Sequence, residues 1–248
     1  MTPLDPGLEG KRVLITGASR GIGAAAARLL AACGARLVLH HRRDAAEAAT
    51  IPHVALVQGD FTERAAPART VEAAVAALGG LDILINNAGH MLGRITLDAM
   101  DDAAIDRVFD LNARSVVAAS RAALPALRAS SGQIINVTSI SARTGGSAGS
   151  ALYSSAKAFV STFTRALATE LAADGIRVNA VSPGTIATEF HEVYSSSDKL
   201  EATRQRIPLQ RLGQGDDCAG AFLFLASERL SGYVSGQILE VNGGQLMP

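Results

Sequence analysis

The sequence predicts an α/β fold: a single domain with a doubly wound parallel sheet of about seven strands and helices on both faces. Three observations lead there. A short β-branched run, Arg12-Val13-Leu14-Ile15-Thr16, passes through a glycine-rich turn into an Ala-rich helix. Similar short apolar runs then alternate with helical stretches along the chain, the order that builds parallel β-α-β units. Finally, 48% of the 248 residues are apolar but only 4% are aromatic, with no Trp, so the core has to be aliphatic. No internal repeat, linker or second domain boundary interrupts the pattern.

The first strand runs into Gly17-Ala18-Ser19-Arg20-Gly21-Ile22-Gly23, with residues 24–32 reading as helix. Strand, glycine turn and helix N-terminus in that order form a Rossmann-type phosphate cradle. Glycines permit a tight turn and close backbone approach, while the unpaired N–H groups of the helix face the anion. The second strand, 36–40, ends where an acidic residue would bind a ribose diol; here stand His41, Arg42 and Arg43 instead, with Asp44 only after them. Together with Arg20 these cations suit a 2′-phosphate, which favours NADP over NAD.

Residues 54–57 read as the third strand, entering Gly59-Asp60, and 81–85 as the fourth, entering Asn86-Asn87-Ala88-Gly89. Helices are expected over 67–78 and, unbroken, over 101–128; Asn112 inside the latter is a mediocre helix former. The fifth strand, 133–138, ends at Ser139, a hydroxyl placed to meet a substrate carbonyl, with Ser141 as a rival. A Gly/Ser-rich loop at 142–150 should form the mouth of the site. The helix expected over 151–173 carries Tyr153 and Lys157, four residues apart and so on one face. A phenol beside an ammonium makes a general acid, because the positive charge favours the phenolate. Strand six is expected at 176–181, before Pro183-Gly184. The irregular stretch 185–214 is a candidate substrate lid, followed by a helix at 216–226 and a last strand at 236–241.

The formal net charge is zero and no long basic tract occurs, which argues against nucleic acid or an anionic membrane as partner. Cys33 and Cys218 are isolated, and His53, His90 and His191 are scattered, so neither a disulfide framework nor a metal site is expected. His90 and His191 fall in mouth loops within reach of substrate. No signal peptide and no apolar span is seen at the residues given, and the expectation is a soluble, cytoplasmic protein with a small-molecule substrate.

Over essentially its whole length the chain resembles the short-chain dehydrogenase/reductase family. The resemblance rests on Thr16-Gly17-x-x-x-Gly21-Ile22-Gly23, Asp60, Asn86-Asn87-Ala88-Gly89, Asn112, Ser139, Tyr153-x-x-x-Lys157, Pro183-Gly184 and the tail from Gly236-Gln237 to Gly244, in this order. It implies Tyr153 as general acid in reduction, Ser139 on the substrate oxygen, Lys157 on the nicotinamide ribose and Asn112 as anchor of a proton-relay water. It also implies Asp60, with Phe61 beside it, on the adenine, Asn87, Ala88 and Gly89 on the adenosine side, and Pro183, Gly184, Ile186 and Thr188 around the nicotinamide. A homotetramer is implied too, with a dinucleotide-binding half at about 8–130 and a catalytic half at about 131–248. Segments around Ser139–Gly146, Thr188–His191 and Gly236–Gln245 resemble NADPH-dependent reductases of 4-deoxy-L-erythro-5-hexoseulose uronate, an alginate-derived uronate. On that likeness Arg143, Ser141 or His191 would meet the substrate. The alternatives are a 3-oxoacyl-[acyl carrier protein] reductase and, from another class, a catalytically idle dinucleotide sensor or scaffold.

Overall fold

The computed structural model describes residues 5–187 and 197–247. Seven strands, β1 (Arg12–Ile15), β2 (Arg36–His41), β3 (Ala55–Gln58), β4 (Ile83–Asn86), β5 (Gln133–Val137), β6 (Arg177–Pro183) and β7 (Ile238–Val241), form one sheet in the order β3-β2-β1-β4-β5-β6-β7. Every neighbouring pair is parallel. The order reverses between β1 and β4, so a crevice opens there at the carboxyl ends of the strands. The glycine turn after β1 and the Asn87–Gly89 segment after β4 meet across it.

Alternation along the strands divides the core. Val13, Ile15, Leu37, Leu39, Ile83 and Ile85 pack under α1 (Gly21–Ala32) and, towards the other edge, under the helix at Gly215–Ala226. Leu14, Val38, Leu84, Ile134 and Val178 face the opposite layer, with α3 (Ala66–Leu78) and α5 (Ser115–Ser130). All are aliphatic, and those strand residues are 2% exposed or less. Near the catalytic end the sheet is pinned by a buried polar chain. Asn86 Nδ2 donates to Asn136 Oδ1 at 2.9 Å and Asn136 Nδ2 to Thr164 Oγ1 at 2.9 Å, tying β4 and β5 to α7 (Ala151–Glu170). Buried amides of this kind persist only when satisfied.

Four expectations change in the structure. The helix read as continuous over 101–128 is α4 (Asp102–Phe109), a single π-helical turn at Asp110–Arg114 and then α5, which runs on through Pro125. The mouth loop contains a short helix, α6 (Ser141–Thr144). The Tyr153 helix stops at Glu170 and gives way to a 3-10 turn at Ala172–Asp174. Within the stretch read as irregular, Ser197–Arg206 is helical (α8); it precedes α9 (Gly215–Ala226) and the short α10 (Glu228–Ser231). A further one-turn helix, α2 (Ala46–Ala49), follows β2. Among the described residues no helix is long and apolar enough to cross a membrane.

Candidate active site

The crevice is a cavity of about 1390 Å³ that runs from the glycine turn to α8. Its floor is backbone held by side chains. Thr16 Oγ1 accepts the N–H groups of Asn87 and Ala88, both at 3.0 Å, and Asn87 Nδ2 donates to the carbonyls of Thr16 (2.9 Å) and Gly17 (2.8 Å). A Cβ on Gly23 would lie 2.4 Å from the Gly17 oxygen and 2.5 Å from Asn87 Nδ2, so only glycine fits. The N-terminus of α1 has no side-chain cap; Arg20 is extended there, and the first N–H groups of the helix are left for a ligand in the cavity. An uncapped helix end over a glycine turn that admits no side chain is the shape a pyrophosphate needs.

At the far end, Lys157 is 2% exposed and its Nζ donates to the Val137 carbonyl at 2.8 Å. The ammonium sits 5.8 Å from the centroid of the Tyr153 ring. The Ser139 hydroxyl hydrogen-bonds Tyr153, while Ser141 Oγ donates to Ser139 Oγ at 3.1 Å. Ser139 therefore contacts the tyrosine and Ser141 stands behind it. Burial pushes the phenol up to about 12, opposed by its bond to Ser139, and burial pushes the Lys157 ammonium down to about 8. The spacing of the pair suggests a phenol made more acidic by its lysine; desolvation acts in the opposite direction.

Asn112 is fully buried on the π-turn. Its Oδ1 accepts the His90 N–H at 3.0 Å, and its Nδ2 donates to the carbonyls of His90 (2.8 Å) and Val108 (2.9 Å). Both amide hydrogens are thus used within the protein. Gly89 lies over this point: a Cβ on it would be 2.9 Å from both Asn112 Oδ1 and Lys157 Nζ.

Of the residues singled out in the sequence, Gly17, Ser19, Arg20, Gly21, Ile22, Gly23, Arg42, Phe61, Asn87, Ala88, Gly89, Ser139, Ser141, Tyr153, Lys157, Pro183, Gly184 and Ile186 line the one cavity. His41, Arg43 and Asp60 do not; Asp60 Oδ1 instead accepts the Thr62 N–H (3.0 Å) and hydroxyl (2.8 Å). Arg143 is exposed on α6 and is not among the residues that line the cavity. Thr188 and His191 lie outside the described residues. Sequence reasoning passed over His40, buried at the end of β2. It also passed over Arg94, which lines the cavity and whose Nη1 donates to Ser147 Oγ (2.8 Å) and the Ala148 carbonyl (3.0 Å). Among the described residues no three His, Cys, Asp or Glu side chains gather as metal ligands.

The family described as Enoyl-(Acyl carrier protein) reductase matches residues 17–245. A short-chain type dehydrogenase/reductase y4mP of Sinorhizobium fredii, itself uncharacterized, is 40% identical across 97% of this chain and 99% of its own. The chain is a short-chain dehydrogenase/reductase. Members similar to it differ in what they act on. A 3-oxoacyl-[acyl-carrier-protein] reductase of Synechocystis sp. is 36% identical over 97% of this chain and 98% of that one. Among solved structures, the NADH-dependent reductase A1-R′, responsible for alginate metabolism, superposes with a TM-score of 0.88 at 38% identity, covering 98% of this chain and 100% of that one. The same reductase has been solved complexed with NAD, and a short-chain dehydrogenase of Burkholderia cenocepacia in complex with NADP (TM-score 0.88, 34% identity, covering 96% and 98%). The short-chain dehydrogenase/reductase fold and the cradle described above make this chain a nicotinamide-dinucleotide oxidoreductase.

Proposed function

We propose that this chain is an NADP(H)-dependent reductase of a small, polar, acidic carbonyl compound of the sugar-acid type, 4-deoxy-L-erythro-5-hexoseulose uronate first among them. The observation that carries the substrate class is the chemistry of the wall beside Tyr153. Ser139, Ser141, Thr144, Ser147, Ser150 and Arg94 supply hydroxyls and a guanidinium, with Met91 and Ile140 the large apolar side chains nearby in sequence. Such a surface matches the hydroxyls and carboxylate of a sugar acid. The likeness to an alginate-metabolism reductase supports the same reading.

The cofactor supplies the hydride; the residues of this chain position the carbonyl and deliver the proton. Ser139 donates to the substrate oxygen and holds it beside the Tyr153 hydroxyl. Tyr153, neutral because burial keeps its pKa at about 12, gives its proton to that oxygen as negative charge develops there. Lys157, anchored on the Val137 carbonyl, keeps positive charge beside the phenolate that forms and would hold the nicotinamide ribose with its remaining hydrogens. Asn112 fixes the peptide of His90, and with it the loop that follows Gly89. Arg20 and Arg42, which line the same cavity, would hold the 2′-phosphate.

The test is the initial rate of NADPH oxidation, with NADH in parallel, on the uronate and on an acetoacetyl thioester. Turnover of the uronate alone supports the proposal. Thioester turnover alone replaces it with a 3-oxoacyl reductase, and bound NADPH with neither reaction removes the substrate assignment.

A further inference from the structure

The Gly/Ser segment at 145–150 is exposed from Gly145 to Ala148, yet it leads straight into the helix turn that bears Tyr153. Tyr153 is the third residue of α7, on a first turn with no side-chain cap. Ser150, at the cap position, turns its hydroxyl back into the loop: Oγ accepts the Ser147 N–H at 2.9 Å and donates to the Ser147 carbonyl at 2.6 Å. One turn on, Ser154 Oγ donates to the Gly145 carbonyl at 2.9 Å. Both serines are buried. A Cβ on Gly146 would lie 2.4 Å from Ser150 Oγ and 2.8 Å from Ser154 Oγ, so the loop closes over these hydroxyls only with glycine there. The loop and the first turn of α7 are therefore one piece.

From outside, this piece is held by the loop that follows β4. Arg94 Nη1 donates to Ser147 Oγ at 2.8 Å and to the Ala148 carbonyl at 3.0 Å, and the Ile95 N–H donates to the Gly149 carbonyl at 2.9 Å. Gly149 has φ 78°, and a Cβ on it would lie 2.9 Å from Arg94 Cβ, so the two backbones meet as closely as glycine permits. The holding loop is itself fixed where it begins, because the buried Asn112 amide grips the His90 peptide at both its N–H and its carbonyl. Arg94 and Ser147 both line the cavity, so the clasp forms part of its wall. Exposed glycine-rich backbone has much conformational entropy to lose on ordering. Three hydrogen bonds from a fixed neighbour, two of them from a guanidinium, offset that loss.

We propose that Arg94 is a positioning residue for Tyr153: with Ile95 and Gly149 it clasps the mouth loop to the loop after β4, and so keeps the first turn of α7, and the phenol on it, in register with Ser139. Ser139 belongs to the end of β5, so its bond to Tyr153 depends on how α7 is set against the sheet. A displacement of about 1 Å at a reacting group can cost on the order of 10²-fold in rate, which gives a contact at the rim of the cavity a route to the chemistry. The inference rests on the role given to Tyr153 above and not on the identity of the carbonyl compound.

The experiment compares the full wild-type chain with Arg94→Ala, Arg94→Lys, Gly149→Ala and the double variant Arg94→Ala/Gly149→Ala. Amide hydrogen exchange is read peptide by peptide, and kcat, KM and NADPH affinity are measured with the uronate and the acetoacetyl thioester. Arg94→Ala is expected to speed exchange by about 10-fold over residues 145–157 while the sheet and α1 keep their protection. Its kcat should fall by about 10-fold, with KM and NADPH affinity within about 2-fold of wild type. Arg94→Lys, which keeps a cationic donor, should recover part of both losses. Gly149→Ala should open the same clasp from the other side, and the double variant should lose little more than either single one, because the two residues act through one contact. Unchanged exchange over 145–157 in Arg94→Ala would overturn the proposal whatever the rates. A raised KM at unchanged kcat would make Arg94 a substrate contact instead, and faster exchange throughout the chain would make it a residue of general stability; either result removes the positioning role. If the wild type reduces neither compound, the substrate assignment falls, and the exchange data still decide for or against the clasp.

Discussion

His40 Nδ1 accepts the Gly17 N–H at 3.0 Å, while Nε2 meets the Gly59 carbonyl at 3.0 Å and the ring stacks on Phe61 with centroids 4.1 Å apart. One buried imidazole on β2 therefore sets the distance between the turn after β1 and the turn after β3, both of which line the cavity. Only the neutral ring can do this, since a protonated one has no lone pair for Gly17. Desolvation, outweighing the bond to Gly59, pushes its pKa down to about 4. The folded-state value lies below the unfolded one of about 6.5, so this contribution is complete above pH ~6.5 and is lost as pH falls through ~4. The shift corresponds to about 3 kcal/mol. In denaturant melts the gap between wild type and His40→Asn, which does not titrate, should shift by about 3 kcal/mol in the variant's favour as pH falls from ~6.5 to ~4. Parallel curves across that range would refute the role given to the ring.

Tyr153→Phe is expected to remove turnover while leaving cofactor affinity within about 2-fold, because the phenol hydroxyl touches Ser139 and the reacting end rather than the cradle. A loss of about 10²–10⁴-fold in kcat is the range for a lost general acid. Stopped-flow turnover beside fluorescence titration of NADPH separates the two quantities, and a variant as active as wild type would end the mechanism given above.

Much of this site was legible before any coordinates, and what was not has physical causes. The glycine turn, Asn87-Ala88-Gly89, Ser139 and the Tyr153–Lys157 pair follow strand ends or share a helix face, and short aliphatic strands between Ala-rich helices announce a parallel sheet. The π-turn at Asp110–Arg114 was not legible, because Leu111 and Ala113 suit an α-helix and nothing in composition marks one extra residue per turn. It is the turn that faces Asn112 towards the His90 peptide. His40 reads as one more residue in a buried strand; its function depends on two backbone groups, 23 and 19 residues away, that no local pattern reveals. Arg143 and Arg94 trade places for the same reason. The likeness to uronate reductases put Arg143 near the substrate, and it stands exposed on α6, whereas Arg94 reaches the mouth through contacts 53 and 54 residues distant.

Arg42→Asp should reverse cofactor choice. Arg42 lines the cavity, and on the NADP(H) reading proposed above a carboxylate in place of its guanidinium would repel a 2′-phosphate and offer an acceptor to a ribose diol. The expected result is a loss of at least about 10-fold in kcat/KM for NADPH and a gain for NADH. An unchanged NADPH/NADH ratio would count against the phosphate site as drawn.

Lys157 carries a stability cost that its chemistry explains. The ammonium is buried on a carbonyl, with no carboxylate partner among the described residues, and burial alone lowers its pKa from 10.5 to about 8. A base whose folded-state pKa is depressed destabilises the fold while it is charged, here by about 3 kcal/mol below pH ~8, and the cost fades between ~8 and ~10.5 as the native lysine sheds its proton first. Lys157→Met removes that cost but leaves the Val137 carbonyl without its donor, a penalty of about 1–3 kcal/mol. The net expectation at pH 7 is a variant without activity that is as stable as wild type or more stable by up to about 2 kcal/mol, a few degrees in Tm for a chain of this length. At pH ~10 that advantage should vanish or reverse, because only the unsatisfied carbonyl then separates the two proteins. Calorimetry at both pH values decides it: a gap between variant and wild type that does not move with pH would mean that the native lysine is not strained by its burial.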